Sequence, residues 1–347
     1  MDPSVYIPAY LERTYLASHP ELTDAARELV HNDISANPQK YAQSEHAQAL
    51  LSYAGVHRHL LDELHRIEDM GSDEEFEQTR NRLFDDMRDE LLKIVRIDAL
   101  AVDAQLLAII PADTPVDACL GDLMKLEATT ADYLQQSVPG FDMEAPHYWA
   151  NKVLTDGVTA SDLTVSEPAL IGWLHTLEAT SQLCMASARY RAAANYARRV
   201  LKAEGYPTRA AGTVLLALAR LEDQDGFFAL AHQLEEQVGA DALENSPWYL
   251  LARTILLFKT NKMRPAARAL REFANRCEGG AFFLLNPMYQ TPYLPCRPEP
   301  RDPWALSHQA VWEADGIISD TPDFAPWANA CEDVSQLAQE FARRYGF

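Results

Sequence analysis

The chain has 347 residues, 48% of them apolar, which is enough to fill a substantial core and excludes general disorder. Fifty-one acidic residues against thirty basic ones leave a net charge of -21, which repels phosphate backbones and anionic lipid surfaces and so argues against nucleic-acid and membrane partners. Cys119, Cys184, Cys277, Cys296 and Cys331 are scattered and never form a CxxC pair, the stretch MDPSVYIPAYLERTY lacks the basic and apolar runs of a secretory signal, and no apolar run reaches membrane length, so a reducing, cytoplasmic setting is expected.

Apolar residues recur at intervals of three and four, with almost no period-two alternation, so helices and no sheet are predicted. Residues 21–32 form a first short helix, ended by the turn at Asn37 and Pro38. A longer one follows over 44–69 through Leu50, Leu51, Leu60, Leu61 and Leu64. Ser72, three residues before Glu75, has the capping-box arrangement that satisfies free amides at a helix start, and a helix over 74–95 is predicted after it. Segments 97–110 and 116–133 read as a hairpin, and Pro139, Gly140 and Pro146 mark a looser boundary.

Six helices with short turns fit residues 166–277. Ala193, Tyr196, Ala197, Val200 and Leu201 form an apolar stripe, repeated by Phe227, Leu230, Ala231, Leu234 and Val238 and again by Met263, Ala266, Ala267, Leu270 and Ala274. Ala193, Leu230 and Ala266 are spaced by 37 and 36 residues, and the partner helices carry matching stripes, clearest at Trp248, Leu251, Ala252, Ile255 and Leu256. Such a period signals stacked helical hairpins, because one amphipathic pair cannot bury its apolar face alone. In YRAAANYARRVLKAEGYP, Tyr190, Ala193, Ala197 and Leu201 fall where tetratricopeptide repeats place a turn aromatic, a small crossing residue and later packing positions. The segment resembles that family.

After Cys277, Pro287, Pro292, Pro295, Pro298, Pro300 and Pro303 among several aromatics predict an extended path without helix. Helices over 304–318 and 332–345 are expected to follow, separated by a turn at Asp320, Thr321 and Pro322.

Candidate sites are few. His57, His59, Asp62 and His65 have residue types that ligate zinc or iron, but no second motif of the ExxH kind accompanies them, so solvated side chains and no metal are expected. No GxSxG, flanked catalytic Cys or glycine-rich phosphate loop occurs, so no catalytic residue and no cofactor are assigned. Between Met185 and Arg276, fourteen Lys and Arg face nine Asp and Glu, a local balance of +5 that leaves -26 for the rest. Most of these cations, including Arg198, Arg199, Lys202, Lys259, Lys262, Arg264, Arg268 and Arg271, fall on or beside the second helices of the hairpins, which the resemblance places on the convex side. Arg209, Arg220 and Arg253 fall on the first helices, whose groove clamps peptide carboxylates in proteins of that family. Tyr289, Tyr293, Trp304 and Trp312, with Trp327, either cap the last repeat or line a recognition surface.

The reading is therefore an all-α chain: an acidic helical N-terminal region over 1–145, tetratricopeptide-like repeats over 166–277 and a proline- and aromatic-rich capping segment over 278–347. The resemblance implies a right-handed superhelix of antiparallel hairpins that is non-catalytic and binds a protein or peptide partner on its concave face, through Arg209, Arg220, Arg253, Tyr289, Tyr293, Trp304 and Trp312. The alternative is an enzyme or small-molecule or metal sensor with a pocket between the N-terminal helices and the C-terminal segment. Oligomeric state, and whether residues 281–303 fill the groove, stay open.

Overall fold

The structure, a computed structural model, describes residues 2–67, 72–110, 114–138, 141–146, 167–203, 206, 208–290 and 302–347; all regular elements among them are helical. None of these helices is long and apolar enough to cross a membrane. The described residues divide into two units: residues up to Ala179 with 202, 203 and 206, and Thr180–Leu201 with 208–290 and 302–347.

The first unit opens on α1 (Pro3–Ser18), where the Asp2 side chain accepts the Ser4 amide at 2.8 Å and Pro3 supplies a fixed φ at the first turn. This helix was not expected from the sequence. Pro8 lies inside it, and the buried face of Tyr6, Ile7 and Leu11 holds it in place. It packs on α2 (Asp24–Ala36) and α3 (Glu45–Ile67). The sequence expectation for α2, 21–32, started early: Thr23 caps the helix through the Ala26 amide, and Asn37 ends it as predicted. The Ser72 hydroxyl accepts the Glu75 amide at 3.4 Å and starts α4 (Asp73–Ile97), which packs on α3 and on α5 (Val102–Ile109). Next comes α6 (Val116–Ser137), packed on α5.

The long helix α7 (Pro168–Ala186) contributes its first part to this unit. Gly172 is needed there, since a Cβ would stand 2.5 Å from Val102 Cβ of α5.

The second unit is built on the end of α7 and on α8 (Tyr190–Leu201), α9 (Ala210–Arg220), α10 (Gln224–Val238), α11 (Ala240–Glu244), α12 (Pro247–Lys259) and α13 (Met263–Arg276). Three turns in it share one geometry. Ala188, Glu222 and Asn261 have φ of 60°, 60° and 57°, and the amides of Arg189, Asp223 and Lys262 reach back to the carbonyls of Cys184, Leu218 and Leu257 at 2.7, 3.0 and 2.9 Å. Each is a left-handed helix end closed by a six-to-one hydrogen bond, repeated once per hairpin. The motif does not depend on glycine at these positions.

Helices α9 and α12 are buried nearly all round, whereas α8 and α13 bury one stripe each. Helix α9 packs on α8, α10 and α12, and α12 packs on α13. The predicted stripes hold at Ala193, Ala197 and Val200 and at Ala266 and Leu270, but Val238 is 57% exposed and Met263 38%. Both sit at helix ends.

Beyond Cys277 the expected helix-free path is corrected. Gly280–Leu285 forms a short helix, α14, followed by a single 3-10 turn at Pro287–Tyr289, because GAFFLL can bury all but its last residue before the first proline. Then come α15 (Ala305–Ser319), α16 (Phe324–Asn329) and α17 (Glu332–Tyr345). Helix α17 packs on α13 and α14 and closes that end of the hairpins, with Phe341 against Phe282 and Phe283. Helix α15 packs on α9, α12 and α14.

Candidate functional site

The face presented by α9 and α12 is the surface the sequence assigned to a partner, and α15 of the same chain lies on it. Helix α15 buries Ala310, Val311, Ala314 and Ile317, as any core helix would, but it also buries Ser307, Gln309 and Glu313, and His308 against the rings of Phe283 and Trp304. A buried carboxylate costs several kcal/mol unless donors surround it. Glu313, 8% exposed, is so surrounded: its Oε2 accepts the indole N–H of Trp248 at 2.9 Å and the hydroxyl of Thr213 at 3.2 Å, and its Oε1 accepts the Gln309 amide at 3.4 Å. Arg209 donates to Gln309 Oε1 at 3.5 Å and stands over the Trp248 ring at 5.7 Å.

Seven residues on, Asp320 caps the helix and makes the second polar anchor. Its Oδ2 accepts the Tyr190 hydroxyl at 2.9 Å and Arg220 Nη2 at 3.4 Å, while the Arg220 guanidinium also covers the Tyr190 ring at 5.2 Å. Burial, and then the hydrogen bond to Asp320, push the Tyr190 phenol up to about 12, so it stays a donor at any ordinary pH. Among the described residues, the buried Nε of Arg220 has no hydrogen-bond partner.

The sequence-assigned residues therefore separate into groups. Arg209 and Arg220 meet α15. Arg253 turns instead to Glu272 of α13 at 3.2 Å and covers the Tyr249 ring at 6.0 Å. Trp304 packs on Phe283 and Phe347, and Tyr289, 41% exposed, packs on Phe282 and Phe347, so both belong to the aromatic cluster at the α14 and α17 end. Trp312 lines a cleft of about 130 Å³ with Gln182, Met185 and Gly316. Tyr293 lies outside the described residues. Trp327 packs on Phe258 and Phe324.

Sequence reasoning missed Thr213, Glu313 and Asp320 as site residues and saw Tyr190 and Trp248 only as packing positions. Glu313 carried a usable signal: it is an acidic residue among the core-facing positions 310, 314 and 317 of a predicted helix.

The first unit holds a separate buried polar group. Asp103 of α5 accepts the Tyr6 hydroxyl of α1 at 2.6 Å and faces His175 Nδ1 of α7 at 2.8 Å. Burial alone would raise the Asp103 carboxyl, but the neighbouring imidazole and the hydrogen bonds from His175 and Tyr6 hold it below the usual carboxylate range. The ionised carboxylate accepts only, so Nδ1 carries the proton. With His175 wholly buried, the arrangement ties α1, α5 and α7 together.

The histidines of α3 are not gathered into a centre. His57 is buried near the Tyr53 ring, whereas His59 is exposed beside a cleft of about 310 Å³ formed with α4. Among the described residues no group of three or more His, Cys, Asp or Glu is placed to hold a metal ion.

No protein-family model matches the chain, and neither a curated protein nor a solved structure does.

Proposed function

We propose that the protein is a non-catalytic interaction protein of the tetratricopeptide-like kind, a right-handed stack of helical hairpins that holds a helical segment of a partner protein on the face of α9 and α12. The observation that carries this reading is α15 itself. A helix lies on that face with two carboxylates, Glu313 and Asp320, each taken by donors from the hairpins. The three identical turns support the repeat, since they close successive hairpins with the same hydrogen bond. Helix-in-groove recognition of this kind draws affinity from apolar contact and orientation from the charged anchors.

Affinity capture from native lysate in gentle salt tests the reading, with the full chain and its Arg220→Glu variant as baits. The expected result is a specific protein retained by the first and lost, at least tenfold, by the second. Retention of nothing above the bait-free control, or retention indifferent to Arg220→Glu, would sink the proposal.

A further inference from the structure

Three features of the α15 seat fall short of an ideal helix contact. Arg220 spends one Nη2 contact of 3.4 Å on Asp320 and leaves its buried Nε without a partner, where a well-placed carboxylate would take both donors of the fork. Asp320 is the C-cap residue of α15, so its negative charge faces the negative end of the helix macrodipole. A cleft of about 130 Å³ remains between α15 and the end of α7, beside Met185, Trp312 and Gly316. The buried residues of α15 also include Gln309 and Glu313, which meet Arg209, Thr213 and Trp248 through polar contacts of the kind that reversible interfaces carry.

We infer that α15 is a displaceable intramolecular ligand, and that the partner is a longer amphipathic helix with two carboxylates seven residues apart on an alanine- and valine-lined face. This rests on the interaction reading above and names its partner. Seven residues of helix span about 10.5 Å, the interval between the two anchors. The first carboxylate meets Trp248 and Thr213 and the second meets Tyr190 and Arg220, as Glu313 and Asp320 do in the chain itself. In the partner the second carboxylate lies within the helix rather than at its C-terminal end, so it keeps the Arg220 contact without opposing the dipole and can engage the idle Nε. Binding requires the partner to replace α15, so affinity for the intact chain is reduced by the fraction of time the face is open.

The test uses the full chain and a fluorescein-labelled synthetic peptide of residues 304–321. Fluorescence anisotropy is expected to show the Asp320→Lys chain binding this peptide at least tenfold more tightly than the wild-type chain does. A peptide with lysine at the positions of Glu313 and Asp320 is expected to bind neither chain. Equal, weak binding of both peptides to both chains overturns the inference. Should Asp320→Lys fail to fold, hydrogen exchange on the wild-type chain replaces it: saturating peptide speeds exchange of the amides of α15 if the helix is displaced, and unchanged exchange rejects displacement. Failure here with Arg220-dependent capture intact would remove the displacement and leave the interaction reading standing, whereas failure of both removes the reading.

Discussion

Replacing Asp103 by alanine is expected to lower folding stability by about 1–3 kcal/mol, the cost of leaving the buried Tyr6 hydroxyl and His175 ring N–H without their acceptor. Three helices lose a common anchor at once: the Tyr6 hydroxyl of α1 and the His175 imidazole of α7 are left facing an empty site on α5. Urea denaturation of both proteins at neutral pH reads the loss, and an unchanged midpoint would show that the cluster does not tie the unit together. The pH dependence has a definite sign. Because the folded Asp103 carboxyl lies below its ordinary value of about 3.9, its contribution is complete above that value and is lost as pH falls through the lower, folded one. The gap between wild type and Asp103→Asn is therefore wide at pH 6 and narrows on acidification below about pH 4.

The second large effect is expected at Trp248. Its ring, 4% exposed, fills the space over Gly212, where a Cβ would stand 2.3 Å from the indole Cγ, and its N–H satisfies Glu313. Trp248→Ala should cost about 3–5 kcal/mol through lost burial and the cavity left behind, with further loss of the indole hydrogen bond to Glu313. Gly212→Ala offers an internal control. Helix propensity favours alanine by about 1 kcal/mol, but overpacking against the indole costs about 1–3 kcal/mol, so the single variant is less stable than wild type. In the Trp248→Ala background the steric term disappears and the same change should become stabilising. Thermal denaturation of the four proteins decides this, and a Gly212→Ala effect of the same sign in both backgrounds would contradict the packing described.

Most of the fold was legible because its signals are local. The Ser72 cap, the stripe at Trp248, Leu251, Ala252, Ile255 and Leu256, and the final helix over 332–345 all follow from spacing and capping within one element. Helix α1 carries no strong local signal: its first proline sits where its missing N–H costs nothing, and the burial of Tyr6, Ile7 and Leu11 carries the helix past Pro8. Helix α14 was lost in the proline-rich composition that flanks it. Of the three left-handed turns, Asn261 is of a type that tolerates positive φ, but Ala188 and Glu222 give no hint of it.

The site was legible only by halves. Arg209 and Arg220 were placed on the correct helices, but Gln309 and Asp320 each lie 100 residues downstream of the arginine they meet, and no periodicity reports such a pairing. Asp103 and His175, 72 residues apart, were not distinguished for the same reason. Nor does the sequence say that residues 305–319 pack on α9 and α12.

Helix α15 is held on α9 and α12 through the Glu313 carboxylate, and a double-mutant cycle between Trp248→Phe and Glu313→Gln measures that directly. Urea denaturation of the wild type, the two single variants and the double variant yields the coupling free energy. A hydrogen bond to a charged group predicts a coupling of about 1.5–3 kcal/mol; effects that add within about 0.5 kcal/mol would mean that Glu313 is not held by Trp248 and that α15 does not occupy the face.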